Sequence, residues 1–358
     1  MHLIKIKSNI HDYDVIFLPT KDFLSQINKD YPNAYYVVDS NVWKLYKSSL
    51  KDLKTENVVV LPINEKRKCL KTVLELYDSL IKRQAKRNIA LVSIGGGILQ
   101  DITGFVASTL YRGINWIFIP TTLLAQADSC IGSKTSLNYK GFKNLIGTFY
   151  PPNKVFIDTS FLKTQEDYDF YSGVGEVVKL HIMGGKEDIL KIIEFFPEIK
   201  NRSDDKLFQA VYHSLLIKQS YIEDDEFDTG RRNLLNYGHC FGHALETASN
   251  FEIPHGQAVV LGMILANIVS RKRGLLSYEL EDFILKRALL PSLNKMPKRS
   301  FLQPDGIISA MKKDKKRTGE GLALIMMVDD YKMIRVNDVS PQEVSFALEE
   351  LMRMLIHE

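Results

Sequence analysis

Cysteine is scarce in this chain. Only Cys69, Cys130 and Cys240 occur in 358 residues, widely spaced and odd in number. That excludes a disulfide framework and a cysteine-built zinc site, and it fits a reducing cytoplasm. Charge of one sign is scarce too. Against 43 acidic residues stand 47 basic ones, and the net charge of +4 is too small and scattered for a nucleic-acid partner. The basic runs Lys66-Arg67-Lys68 and Lys312 to Arg317 are short. They read as solvated faces or, alternatively, as part of a pocket for an anionic small molecule. No apolar stretch approaches the roughly 20 residues of a membrane span. The opening Met1-His2-Leu3-Ile4-Lys5-Ile6-Lys7 has no apolar core of signal-peptide length. A soluble, cytoplasmic protein is expected, with no membrane and no nucleic acid among its partners.

What is present is ordinary globular composition, 45% hydrophobic and 25% charged, in a length that suggests two domains. The first half alternates short β-branched runs with amphipathic segments such as Lys68–Lys82. Val15–Leu18, Tyr35–Val38, Val58–Leu61, Ile89–Ile94, Trp116–Ile119 and Val155–Ile157 read as strands. That rhythm predicts a largely parallel sheet with flanking helices. Beyond about Asp158 long periodic segments dominate: Gly173–Met183, Lys206–Tyr221, Arg231–Ser249, Gly256–Lys272 and Ser340–His357. Ala323–Val328 and Tyr331–Val336 form a hairpin pattern around Asp329-Asp330. The expected division is an α/β Rossmann-like nucleotide-binding domain over 1–160 and a mainly α-helical metal-binding domain over 161–358, packed closely with a cleft between them.

Three strand ends in the first half suit a nucleotide. Gly95-Gly96-Gly97 follows a strand and opens a helix with Asp101 in its first turns, so backbone N–H groups can approach a pyrophosphate. It is not the GxGxxG fingerprint and could also be a tight turn. Pro120-Thr121-Thr122 offers two hydroxyls, or bland turn chemistry. Asp39-Ser40-Asn41 offers a carboxylate for ribose hydroxyls, or an N-cap. Together the three are stronger than any one, because open α/β sheets bind nucleotides along that edge.

In the second half His239 and His243 stand at i and i+4, His255 follows after a turn with Pro254, and Glu176 and Lys179 lie one turn apart on another helix. Catalytic zinc takes three ligands from histidine and carboxylate and keeps an open position. Spacing does not say which two of the three histidines bind. Arg112, Lys134, Lys143-Asn144, Lys179, Lys218, Arg232 and Asn236 cluster around these motifs, several in apolar contexts. Such a pocket favours a phosphorylated, carboxylated substrate.

These segments together resemble the 3-dehydroquinate synthases, within the sugar-phosphate cyclase family. The likeness rests on Gly95 to Asp101, Tyr111-Arg112-Gly113, Pro120 to Ser129, Lys143 to Gly147, Gly175 to Lys179, Leu234 to His243, His255-Gly256 and Met311 to Lys316, in the family's order. The resemblance implies a dehydroquinate synthase-like fold, NAD, zinc or cobalt, and a homodimer serving the shikimate route to aromatic amino acids. It implies metal ligands Glu176, His239 and His255, with His243 moved to the substrate side. It gives NAD contacts to Asp39, Asn41, Glu65, Lys68, Gly95, Gly96, Gly97, Asp101, Thr121, Thr122, Leu124, Asp128, Ser129, Lys134, Lys143, Phe161 and Thr164. Substrate contacts fall to Lys134, Asn144, Lys179, Lys218, Arg232, Asn236, His243 and Lys315, and Arg112 would reach the phosphate from the partner subunit. The implied reaction, a carbon–oxygen lyase step, turns 3-deoxy-arabino-heptulosonate 7-phosphate into 3-dehydroquinate and phosphate. It runs by transient oxidation by NAD, phosphate elimination, re-reduction and intramolecular aldol closure.

Four positions depart from the family's pattern: Gln100, Ser133, Gln165 and Gln257. Gln257 stands where a carboxylate supporting the metal ligands is usual, so Gln257→Glu is expected to change metal affinity. The rival functions are a cyclase acting on sedoheptulose 7-phosphate or glucose 6-phosphate in secondary metabolism, a metal-dependent alcohol dehydrogenase, and a catalytically dead binding subunit. Lys218, Arg232, Asn236 and His243 favour the carboxylate-bearing substrate.

Overall fold

The computed structural model describes residues 2–312 and 321–354. Two compact units are present: Met1–Thr164 with Ile222–Phe227, and Gln165–Tyr221 with Asp228–Glu358.

The first unit is built on a seven-stranded sheet. Its strands are β1 (His2–Ile6), β2 (Tyr13–Phe17), β3 (Ala34–Asp39), β4 (Val58–Leu61), β5 (Ala90–Gly95), β6 (Asn115–Pro120) and, after the separate hairpin of β7 (Lys134–Tyr139) and β8 (Phe142–Phe149), β9 (Lys154–Ile157). The order is β1-β2-β9-β6-β5-β3-β4. All neighbours pair parallel except β1 with β2. The central strands are apolar on both faces, as a parallel sheet covered by helices requires: Leu91, Val92, Ile94, Ile117, Phe118 and Ile119 are fully buried. From β3 the chain moves outward to β4, then crosses back over β3 to β5. The point of reversal therefore lies between the carboxyl ends of β3 and β5, where open α/β sheets leave a crevice. The six strands read from the sequence are all present. β1 and the β7–β8 hairpin were not legible, because their apolar positions are interrupted by Lys, Asn and Gly.

Ile222–Phe227 belongs with the first unit although it follows a long helix of the second half. Its anchor is Glu226, whose carboxylate accepts from Ser8 Oγ at 2.6 Å, the Asn9 N–H at 2.6 Å and Ser133 Oγ at 2.7 Å. Phe227 meets Phe149 edge to face. Nothing in the periodicity announces this return.

The second unit is helical. At its centre runs the helix His255–Lys272, buried continuously from Gly256 to Ser270. A helix apolar all round belongs in the interior. Asp167–Gly184, His239–Ala248 and Pro341–Met354 pack against it, with the antiparallel pair β10 (Leu322–Val328) and β11 (Lys332–Val339). The hairpin expected around Asp329-Asp330 is this pair. The expected single segment Arg231–Ser249 is instead two elements, a 3-10 helix Arg231–Asn236 and the α-helix His239–Ala248. Gly238 separates them at φ +78, and a Cβ there would stand 2.5 Å from the Val259 carbonyl oxygen. Only the second piece packs closely on the central helix; the 3-10 piece buries Arg232 alone and lies against β11. Among the described residues no helix is long and apolar enough to cross a membrane.

Candidate functional site

In the first unit the expected nucleotide contacts gather at and beyond the carboxyl ends of parallel strands. Asp39 and Asn41 follow β3, Glu65 and Lys68 follow β4, and Gly95, Gly96, Gly97 and Asp101 follow β5. Thr121, Thr122, Leu124, Asp128 and Ser129 follow β6, and Phe161 and Thr164 follow β9. Lys134 and Lys143 sit on the β7–β8 hairpin, both on its exposed side. The turns crowd one another. A Cβ on Gly95 would stand 3.3 Å from Asp39 Cβ and 2.7 Å from Leu99 Cδ2, and one on Gly96 would stand 3.1 Å from Thr122 Cγ2. Glycine leaves there a cradle of main chain at the N-terminus of the helix Gly97–Thr109, where a phosphate group is favoured. These residues fit a dinucleotide.

Two of these carboxylates also have structural work. Asp39 accepts the Asn41 N–H at 2.7 Å as an N-cap, and burial pushes its carboxyl up. Asp101 pairs with the buried Lys68 ammonium at 2.5 Å and accepts the Ser136 N–H at 2.9 Å. Burial pushes the Asp101 carboxyl up, with Lys68 and Ser136 opposing. Lys68 also donates to Asn144 Oδ1 at 2.7 Å, which Ser136 Oγ reaches at 2.9 Å. Ser136, unremarked in the sequence, thus joins Asp101, Lys68 and Asn144. Gln100, a departure from the family pattern, exchanges two 2.6 Å bonds with Ser129. Ser133, another, sits at φ +66, a backbone region that favours the glycine usual there.

In the second unit three helices converge. Glu176 lies on Asp167–Gly184, His239 opens His239–Ala248, and His255 opens the central helix. The approach of the first and third depends on two glycines. A Cβ on Gly175 would stand 2.3 Å from the Gly256 carbonyl oxygen, and one on Gly256 would stand 1.8 Å from that of Ser172. That contact of backbones sets Glu176 beside His255. One donor atom from each of Glu176, His239 and His255 lies within 4.8 Å of the others.

The chemistry of these groups fits a divalent ion. Glu176 is 1% exposed, yet neither carboxylate oxygen receives a well-directed hydrogen bond. Oε2 has the Lys179 ammonium at 2.5 Å, and Oε1 faces His255 Nε2 at 3.3 Å and His239 Nε2 at 3.6 Å. Burial opposes ionisation of Glu176, but Lys179 and His255 outweigh it and hold the carboxyl well below its usual range. Burial, followed by the charge of Lys179, pushes His239 well below its ordinary value, so it is a neutral ring with a lone pair to give. Burial would lower His255 as well, but Glu176 and Glu246 push it up to about 10. A proton there fills the place a cation takes. The arrangement can bind an ion through one carboxylate and two imidazoles and leave a position open to substrate.

The remaining expected residues divide by burial. Lys179, Lys218 and Arg232 are buried, whereas Arg112, Lys134, Lys143 and Asn144 are exposed, so the apolar context read from sequence holds only for the first three. Asn236 donates to the Asn233 carbonyl at 2.9 Å. His243 stands beside the other two imidazoles, 5.5 Å from His239 and 5.8 Å from His255 between ring centres. His243, Asn236 and Asn233 line a pocket with His239 and Arg335, about 580 Å³ including its open mouth. Lys315 lies outside the described residues. The expectation for Gln257 is corrected. Its amide donates to the carbonyls of Tyr171 and Ser292 at 2.8 and 3.0 Å and accepts the Asn294 N–H at 2.7 Å, so it ties backbone together and does not support a ligand. The carboxylate beside the other ring nitrogen of His255, Nδ1, is that of Glu246, which sequence reasoning missed. Its signal was there, since Glu246 follows His239 and His243 at i+7 and i+3 on one helical face.

Comparison with known proteins identifies the family. Residues 58–172 match the family model for the 3-dehydroquinate synthase N-terminal region, and residues 173–317 match that for the C-terminal region. The 3-dehydroquinate synthase of Clostridium tetani is 36% identical over 344 residues, covering 94% of this chain and 90% of that one. A 2-epi-5-epi-valiolone synthase from Streptomyces hygroscopicus, solved with NAD+ and Zn2+ bound, is 25% identical with a TM-score of 0.85, covering 99% of each chain. A 2-deoxy-scyllo-inosose synthase, solved with carbaglucose-6-phosphate, NAD+ and Co2+, is 24% identical with a TM-score of 0.82, covering 98% of this chain and all of that one.

Proposed function

This chain belongs to the 3-dehydroquinate synthase family, and from that premise we propose that it converts 3-deoxy-arabino-heptulosonate 7-phosphate to 3-dehydroquinate and phosphate. It would act as a phosphate-eliminating lyase of the shikimate route, in the cytoplasm, as a homodimer. The observation that carries the reading is Glu176, a fully buried carboxylate faced by two imidazole nitrogens within 3.6 Å.

Glu176, His239 and His255 would hold zinc or cobalt, and the turns after β3, β5 and β6 would hold NAD. When bound, the metal supplies Lewis acidity toward a secondary alcohol, and NAD supplies reversible hydride acceptance. The chain's own residues do the rest. Lys179 is held by its contact with Glu176 and keeps positive charge beside the metal ligands. Lys218 and Arg232, both nearly out of water, would by the resemblance meet the carboxylate and phosphate of the substrate. Holding both anionic ends fixes the orientation of the carbon skeleton between them. His243 and Asn236, at the wall of the pocket, orient substrate hydroxyls or pass a proton through the imidazole nitrogen. By the resemblance, Lys134, Asn144 and Lys315 would contact substrate as well, and Arg112 would reach the phosphate pocket from the partner subunit.

The test uses the purified chain with NAD+, Zn2+ or Co2+, and in turn the seven-carbon sugar-acid phosphate, sedoheptulose 7-phosphate and glucose 6-phosphate. Phosphate release and product identity are measured. Turnover of the sugar-acid phosphate without net NADH is the expected result. Turnover of sedoheptulose 7-phosphate alone overturns the substrate, and steady NADH accumulation points to a dehydrogenase.

A further inference from the structure

Glu246 is 4% exposed, and a carboxylate so far from water needs a partner. Its Oε2 lies 3.2 Å from Nδ1 of His255. The other nitrogen of that ring, Nε2, lies 3.3 Å from Glu176 Oε1. A neutral imidazole has one N–H and one lone pair, and an ionised carboxylate only accepts. Facing Glu246, Nδ1 is the nitrogen that carries the proton, which leaves the lone pair on Nε2.

We propose that Glu246 is a positioning residue of the metal centre: by accepting the Nδ1–H of His255 it fixes that ring's tautomer and rotation, and so aims Nε2 at the point shared by Glu176 and His239. The proposal rests on the ligand set given above. Two further observations support it. The next helix turn beyond Glu246 is closed by Ser249, whose hydroxyl donates to the Glu246 carbonyl at 3.1 Å and in turn accepts the Ile253 N–H at 3.3 Å. The turn that carries His255 is thereby tied to the helix that carries Glu246. Gln257, the other polar side chain at the start of the central helix, spends both amide hydrogens on the carbonyls of Tyr171 and Ser292 and accepts the Asn294 N–H, so its bonds go to backbone and not to the ring.

The same groups offer a rival arrangement. His243, Glu246 and His255 also bring donor atoms within 4.8 Å of one another. If Glu246 were itself a ligand, the chain would take up two ions, one on each side of His255.

The experiment measures Zn2+ binding by the full chain, stripped of metal, in competition with a chromophoric chelator, together with the visible spectrum of the Co2+ form. The parent is expected to take one ion. Glu246→Ala is expected to bind roughly 10–100-fold more weakly, and Glu246→Gln about tenfold more weakly, since its amide oxygen can still accept from Nδ1. The Co2+ band should shift or broaden in both. Glu246→Gln keeps the side chain's volume and serves if the alanine variant does not fold. Parent-like affinity and an unshifted band in the folded variant overturn the proposal, as do two ions per parent chain. His255→Ala separates this failure from that of the ligand set: if it too binds like the parent, the assignment of Glu176, His239 and His255 falls first.

Discussion

At the ends of β3, β5 and β6 the region proposed for the nucleotide is made mostly of main chain, and its defining residues are glycines. Around Glu176 the metal region is made of side chains, brought by three helices whose contributions lie up to 79 residues apart in sequence. The first works by leaving room: Gly95 and Gly96 stand where a Cβ would press on Asp39, Leu99 and Thr122. The second works by confining charge, with Glu176 and Lys179 all but sealed from water and two partly buried imidazoles facing the carboxylate. A site of main chain tolerates changes in charge and fails on bulk. A site of buried charge fails when one member is removed, because the others are left without compensation.

Glu176→Ala should break the metal region most severely. It leaves the Lys179 ammonium, 3% exposed, without its carboxylate, and should lower the stability of the metal-free protein by about 3–5 kcal/mol. Urea unfolding measures this, and zinc binding should be lost while NAD binding persists in the folded fraction. Gln257→Glu comes next. It sets a carboxylate against the carbonyls of Tyr171 and Ser292, and should cost about 2–3 kcal/mol in the same assay. Zinc affinity should not change, because this side chain does not serve the ligands. Gly96→Ala reverses the pattern. Its Cβ meets Thr122 at 3.1 Å and narrows the cradle, so NAD affinity should fall about tenfold, or about 1.4 kcal/mol, with zinc affinity intact. Equilibrium titrations of both ligands on one sample decide whether the two regions are separable in this way.

The smallest effect concerns a pair remote from either site. Glu343 binds Arg273 through two bonds of 2.6 and 2.9 Å and closes a capping box with Ser340. Its hydrogen bonds to Arg273 hold its carboxyl down at about 2, against 4.5 for the free group. Because the folded value is the lower one, the stabilisation is complete above about pH 4.5 and fades as pH falls toward about 2. After screening by solvent it should amount to about 1 kcal/mol. Melting curves of Glu343→Gln should therefore converge on the parent's at low pH and lie below it at neutral pH. Curves that stay parallel would show the pair to be idle.

The two regions were also unequally legible. The strand-to-helix turns could be read directly, since a glycine run after a β-branched strand is a local signal and the sheet merely repeats it. Glu176, His239, His243 and His255 were visible as residues of the right type, but their spacing left the ligand set open. Glu246 was overlooked, and support for the ligands was looked for at Gln257, because the family pattern places a carboxylate at that position. A helix start turns the side chain at i+2 away from the residue at i, and Gln257 accordingly reaches Tyr171 and Ser292. The break at Gly238 stayed hidden because the apolar period runs through it.

By itself, then, the sequence determined what is periodic or contiguous: the parallel strands, the long helices, the β10–β11 hairpin and the glycine turns. Those follow from local backbone preference and from burial of apolar faces. Tertiary structure decided how residues distant in the chain meet. The backbone contact of Gly175 with Gly256 brings Glu176 to His255. Glu226 draws six residues of the second half into the first unit, and Lys68 is set between Asp101 and Asn144. The physical reason is that a buried charge has no period. It is stable only where the fold supplies its partner, and that partner can stand anywhere in the sequence.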